Sequence, residues 1–110
     1  MLIWEVKPDL IIEIGTNRGG GALYFANLLD SLGQGEVHTI DIIDNVNDQR
    51  VFMHPRIKRF FGGFQSYELN NSFKFENILV IDDWSHLYEE VFLALEKFKH
   101  LINKNSYYIV

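Results

Sequence analysis

The chain of 110 residues is 47% hydrophobic and 23% charged, with a formal net charge of -5 and no cysteine, a composition that describes one globular domain. Without cysteine there is no disulfide framework and no thiolate metal site. The acidic excess argues against a nucleic-acid backbone as main partner, since such binders carry a basic face, and the local cluster Arg56, Lys58 and Arg59 does not reverse this. Apolar runs reach only about five residues against the ~20 that cross a bilayer, and the N-terminus lacks the basic and apolar regions of a leader. A cytoplasmic protein with no membrane span is therefore expected.

Short β-branched runs alternate with longer segments of spacing near 3.6, the texture of an α/β fold. Leu10-Ile11-Ile12-Glu13-Ile14, between Pro8-Asp9 and Gly15, predicts a strand buried on both faces of a parallel sheet. From Gly20 to Leu32, the stripe of Leu23, Phe25, Ala26, Leu28, Leu29 and Leu32 predicts a helix stopped by Gly33. Val37-His38-Thr39-Ile40 predicts a second strand leading into Asp41, and the polar stretch from Asp44 to Pro55 predicts a loop. Alternation from Pro55 to Phe61, ahead of Gly62-Gly63, predicts a third strand, and Asn77 to Ile81 a fourth. From Leu87 to about Ile102, the spacing of Val91, Leu95, Phe98 and Leu101 predicts a helix with Glu89, Glu90, Glu96 and Lys97 on its other side. Ser106 to Val110 has strand composition. Trp4, Phe60, Phe61, Phe64, Phe73 and Phe75 are expected to be core, or aromatics that a missing part would cover. Because the sequence stops within its last strand, one domain spanning 1–110 and incomplete after about five strands is expected, with an open sheet edge.

Chemistry concentrates at strand ends. Glu13-Ile14-Gly15-Thr16-Asn17-Arg18-Gly19-Gly20-Gly21 joins a predicted strand to a predicted helix. Its glycines permit positive φ and close ligand approach, and the helix start presents free N–H groups to a carboxylate or phosphate. The alternative is a turn that merely closes a tight connection. The segment lacks the Gly-Lys-Ser/Thr of a P-loop, and its spacing departs from G-x-G-x-x-G. Asp41 ends the second strand, where an acid can accept hydrogen bonds from ribose hydroxyls or cap the loop. Asp82-Asp83-Trp84-Ser85-His86 ends the fourth strand. Paired carboxylates there suit Mg²⁺, and an imidazole nearby suits a general base; helix capping is the plainer reading. His38, His54 and His100 read as structural or solvated, and Gly62-Gly63-Phe64 as a wall for an adenine ring.

Together, the run from Lys7 to Gly20, then Val37-His38-Thr39-Ile40-Asp41-Ile42, His54-Pro55-Arg56-Ile57 and Asp83-Trp84-Ser85-His86-Leu87-Tyr88-Glu89, resemble the cephalosporin hydroxylase family, in order, from about Trp4 to Val110. That resemblance implies the Rossmann-like, mostly parallel sheet of class I S-adenosylmethionine methyltransferases, a family that includes sugar O-methyltransferases. It implies that Glu13, Gly15 and Thr16 line the methionine end of S-adenosylmethionine, that Gly19 is a further cofactor-binding residue and that Asp41 holds the ribose. It further implies that Asp83 is a divalent-metal carboxylate, with Mg²⁺ as the ion, and that His86 assists the hydroxyl of a small-molecule or sugar acceptor. Gly21 and Trp84 depart from the family pattern, and the family's adjacent Glu-Asp metal ligands would fall after Val110. Two other readings compete. One is a non-catalytic α/β domain that associates through its last strand, as a homo-oligomer or with a partner. The other, an NAD-dependent oxidoreductase, is disfavoured by the glycine spacing.

Overall fold

The computed structural model describes residues 2–69, 74–82, 88–99 and 107–109. In chain order these form α1 (Leu2–Val6), β1 (Leu10–Ile14), α2 (Gly20–Leu32), β2 (Glu36–Asp41), α3 (Gln49–Met53), β3 (Ile57–Phe61) and a 3-10 turn (Phe64–Ser66). β4 (Ile78–Asp82), α4 (Tyr88–Phe98) and β5 (Tyr107–Ile109) follow. The strands make one five-stranded sheet of order β3-β2-β1-β4-β5, parallel at every pairing. This is the α/β architecture expected from the alternating texture.

β1 lies at the centre and is buried along its whole length, which is why an almost unbroken aliphatic run suits it. Its side chains divide between two cores. Leu10, Ile12 and Ile14 join Ile40, Ile78 and Val80 against Ala94 and Phe98 of α4, with Phe64 and Tyr67 closing the cluster. On the opposite face Ile11, Val37 and Leu79 meet Ala22, Ala26 and Leu29 of α2. The end of α2 is set by Gly33, at φ +75°, whose N–H donates to the Leu29 carbonyl at 2.8 Å. At the amino edge of the sheet, the Asp9 carboxylate accepts the Glu76 and Asn77 N–H groups at 2.9 and 3.0 Å. That contact sets the start of β4 against the start of β1.

Several expectations are corrected. α3 lies within the stretch read as loop: Asp48 caps it by accepting the Arg50 N–H at 2.9 Å, and Val51 is its buried residue. A helix of five residues is too short to show periodicity. α1 was not anticipated either, and Trp4 within it is 45% exposed. Phe61 is likewise exposed, although Phe64 is core. Among the described side chains of α4, Ala94 and Phe98 are buried, whereas Leu95 is 39% exposed. Phe73, His100 and Leu101 lie outside the described residues.

The basic cluster is matched acid for base. Arg56 pairs with Asp30 at 2.6 Å, Lys58 with Glu36 at 3.6 Å, and Arg59 with Asp44. The Arg56 guanidinium, helped by His54, holds the Asp30 carboxyl below its ordinary range, and Arg59 does the same for Asp44. Among the described residues no helix is long and apolar enough to cross a membrane.

His38 is buried in β2, with its Nδ1 2.7 Å from the Tyr67 hydroxyl and its Nε2 3.3 Å from Glu36. Burial lowers its pKa below the ordinary 6.5, outweighing the opposite pull of Glu36. The unfolded chain therefore takes up this proton before the folded one. The resulting stability is full above about pH 6.5 and is lost as pH falls towards the folded value. Urea denaturation between pH 8 and 5.5 should show that loss, with a shallower slope over the same range in His38→Gln.

Candidate functional site

The sheet order reverses between β1 and β4: the chain winds outward through β2 and β3, then returns to the other side of β1. Connections leaving β1 and β4 pass to opposite faces, and a crevice opens at the carboxyl ends of the strands. The glycine-rich turn after β1 occupies this edge. Gly15, at φ +102°, and Thr16 both donate their N–H groups to the Ile40 carbonyl, at 2.7 and 3.2 Å. Gly19 adopts φ +93°, and a Cβ there would stand 2.9 Å from a Val51 methyl. Backbone conformation and close packing on α3 thus both require glycine at 19. Beside the turn an open cleft of about 720 Å³ is lined by Arg18, Gly20, Asn45, Asn47 and Asp48.

Two buried carboxylates flank the turn. Asp41 is the last residue of β2. Its Oδ2 accepts the Asn17 N–H at 2.8 Å and its Oδ1 the Ile43 N–H at 3.2 Å. Asn17 is left-handed, at φ +53°, so this bond holds the turn in a conformation that asparagine tolerates better than most residues. Each Asp41 oxygen keeps further acceptor capacity. The Asp41 carbonyl accepts the Gly62 N–H at 3.0 Å, which joins the end of β3 to the same edge.

Glu13 is the second carboxylate, only 4% exposed, on the α2 face of β1. Its Oε1 accepts the Thr39 hydroxyl at 2.6 Å, and the Thr39 and Thr16 hydroxyls are 2.7 Å apart. The other oxygen lies against the first turn of α2, where a Cβ on Gly21 would overlap it. The departure at Gly21 thus has a local cause: this position leaves room for the Glu13 carboxylate.

Of the residues singled out from sequence, Glu13, Gly15, Thr16, Gly19 and Asp41 come together at this edge. Asp83 and His86 lie outside the described residues, as do Trp84 and Ser85. Asp82, their neighbour, is buried at the end of β4, in register with Ile14 of β1. Among the described residues no group of three or more His, Asp or Glu side chains could hold a metal ion. Phe64 turns its ring into the core, which leaves Gly62 and Gly63 at the edge. Sequence reasoning missed Thr39 and Asn17. A hydroxyl within a buried apolar strand and an asparagine between glycines were the available signals.

A family model described as rhamnosyl O-methyltransferase/CmcI matches residues 1–110. The rhamnosyl O-methyltransferase of Mycobacterium tuberculosis (strain H37Rv) is 28% identical over 117 residues, covering 99% of this chain and 47% of its own length. That of Mycobacterium leprae is 43% identical over 42 residues, 37% of this chain and 18% of its own. Among solved structures, a cmcI chain with SAH superposes with TM-score 0.76 at 21% identity, covering 97% of this chain and 54% of its own. A cmcI chain with Mg-SAM superposes at 0.73 and 20% identity, covering 97% and 47%. These superpositions show the fold. The chain spans about half the length of the curated relatives it matches over nearly its whole extent.

Because a Cβ at position 21 must displace the Glu13 carboxylate, Gly21→Ala should cost about 1–3 kcal/mol of stability despite the higher helix propensity of alanine. Gly20→Ala, where nothing lies within 4 Å of the added carbon, should be neutral or stabilising. Paired chemical denaturation of the two variants checks this.

Proposed function

The chain belongs to the rhamnosyl O-methyltransferase/CmcI family, and from that premise we propose that residues 1–110 form the cofactor-binding domain of a cytoplasmic S-adenosylmethionine-dependent O-methyltransferase. The acceptor is a hydroxyl of a sugar or another small molecule. One observation carries the reading: two buried carboxylates, Glu13 and Asp41, flank a positive-φ turn at the switch point of a parallel sheet. The printed names of the relatives, rhamnosyl O-methyltransferases and cmcI chains with SAH and with Mg-SAM, support it.

The residues present fit such a cofactor. Asp41 has acceptor capacity left for the two ribose hydroxyls, after its bonds to Asn17 and Ile43. Gly15 and Gly19, without side chains, let a ligand approach the turn closely. Glu13 and Thr16 offer oxygen acceptors to the ammonium of the methionine end. The first turn of α2 presents N–H groups to its carboxylate. Bound there, the sulfonium supplies an already activated methyl group. The protein's task is then to hold the acceptor oxygen in line with the methyl carbon and the sulfur. His86 would take up the proton that the acceptor hydroxyl gives up on methylation.

Divalent-metal assistance belongs to the same proposal. Asp83, next to the buried Asp82 at the end of β4, is the residue offered as a carboxylate ligand. An ion held by oxygen ligands would lower the pKa of an acceptor hydroxyl.

Calorimetry on the full-length protein should give saturable binding of S-adenosylmethionine and of S-adenosylhomocysteine, with no competition from NADH. Asp41→Asn and Glu13→Gln should each weaken binding by roughly tenfold or more, as loss of a charged hydrogen-bond acceptor does. No binding by the folded full-length protein at about millimolar cofactor would overturn the proposal.

A further inference from the structure

Thr39 is fully buried in β2, two residues before Asp41, and like Asp41 it reaches the turn through its side chain. Its hydroxyl touches two of the residues placed at the methionine end of the cofactor: Glu13 Oε1 at 2.6 Å and Thr16 Oγ1 at 2.7 Å. A hydroxyl has one proton to give. Thr39 gives it to Glu13, so the short contact with Thr16 is satisfied only if Thr16 donates to Thr39. The three groups form a directed chain, Thr16 to Thr39 to Glu13. We infer that Thr39, which does not itself face the ligand crevice, is a positioning residue: it holds Glu13 as an ionised carboxylate and turns the Thr16 proton inward.

Two consequences follow for the site. Thr16 can present only lone pairs to a ligand, which suits the cofactor's ammonium and not its carboxylate. Glu13 remains charged although buried, because it receives a hydroxyl donor and lies against the first turn of α2. The groups that face Glu13 include Thr39 on β2, Gly21 on α2 and, in register on β4, the apolar Ile81, with Thr16 in the turn reached through Thr39. The inference rests on the proposed cofactor, and its test separates the two.

Full-length Thr39→Val, which keeps the shape but removes the hydroxyl, should bind S-adenosylmethionine about tenfold more weakly at neutral pH. Binding should also fail at a higher pH on acidification than in the native protein. Thr39→Ser should restore both the affinity and the pH profile. In the ligand-free protein, a ¹³C NMR titration of the Glu13 carboxyl should move to higher pH in Thr39→Val and stay put in Thr39→Ser. If Thr39→Val does not fold, Thr39→Cys, with a weaker donor, should shift the same titration in the same direction. Native-like affinity and titration in Thr39→Val, or equal losses in the Val and Ser variants, would overturn the role of Thr39 while leaving the cofactor in place. The Glu13 shift in Thr39→Val, together with no binding of S-adenosylmethionine by the native protein, would instead uphold the hydrogen-bond chain and overturn the cofactor.

Discussion

A carboxylate buried on the face of a parallel sheet is the constraint around which this edge of the fold is arranged. Removing an ionised group from water costs several kcal/mol unless hydrogen bonds replace its solvent. For Glu13 one such bond comes from Thr39, far away in sequence, whose hydroxyl in turn meets that of Thr16. A hydroxyl must stand at position 39 on the neighbouring strand, a second at 16 beyond the turn, and no Cβ can stand at 21. The parallel register brings Glu13 beside Thr39 directly. A slip of β2 by one residue would put Thr39 on the other face and break its bond to the acid.

Asp41 plays a complementary part through the backbone. Its two oxygens hold the N–H groups of Asn17 and Ile43, and its carbonyl holds that of Gly62, so the connections leaving β1, β2 and β3 are joined at one residue. Asp9 at the opposite edge uses the same chemistry, with one N–H on each carboxylate oxygen. The geometry of an acid and its amides therefore does not by itself distinguish a ligand site from a structural tie. The two acids differ in position: Asp41 adjoins a turn with three positive-φ residues at the carboxyl ends of the strands, where the strand order reverses.

Most of the architecture was legible because its signals are local. The aliphatic run of β1, the broad apolar stripe of α2 and the glycine that stops it are short-range patterns, and all three appear in place. What was not legible depends on contacts between distant segments. α3 is a single turn fixed by its Asp48 cap and by Val51 against Gly19, which no periodicity reveals. Phe61 and Phe64 are both aromatic and close in sequence, yet one is exposed and the other core, a difference set by where the chain turns after β3. In the site, the glycines and acids were readable as types. The role of Thr39 was not, since a hydroxyl in a strand becomes informative only once its cross-strand neighbour is known to be an acid.

The start of α2 shows how the site is favoured over local helix stability. Gly20 and Gly21 are poor helix formers, each costing up to about 1 kcal/mol relative to alanine. Gly19 before them offers no side-chain cap. A helix selected for stability alone would open with Ser or Asp at that position and good helix formers after it. Two of the glycines have a separate reason, Gly19 for its positive φ and its contact with Val51, and Gly21 because the Glu13 carboxylate occupies the space of its side chain, while Gly20 lines the cleft with open space where a Cβ would stand. The glycines at 19 and 21 weaken the helix start, and each has its cause in what packs against it, the Val51 methyl at one and the Glu13 carboxylate at the other, so tertiary contacts override the local preference.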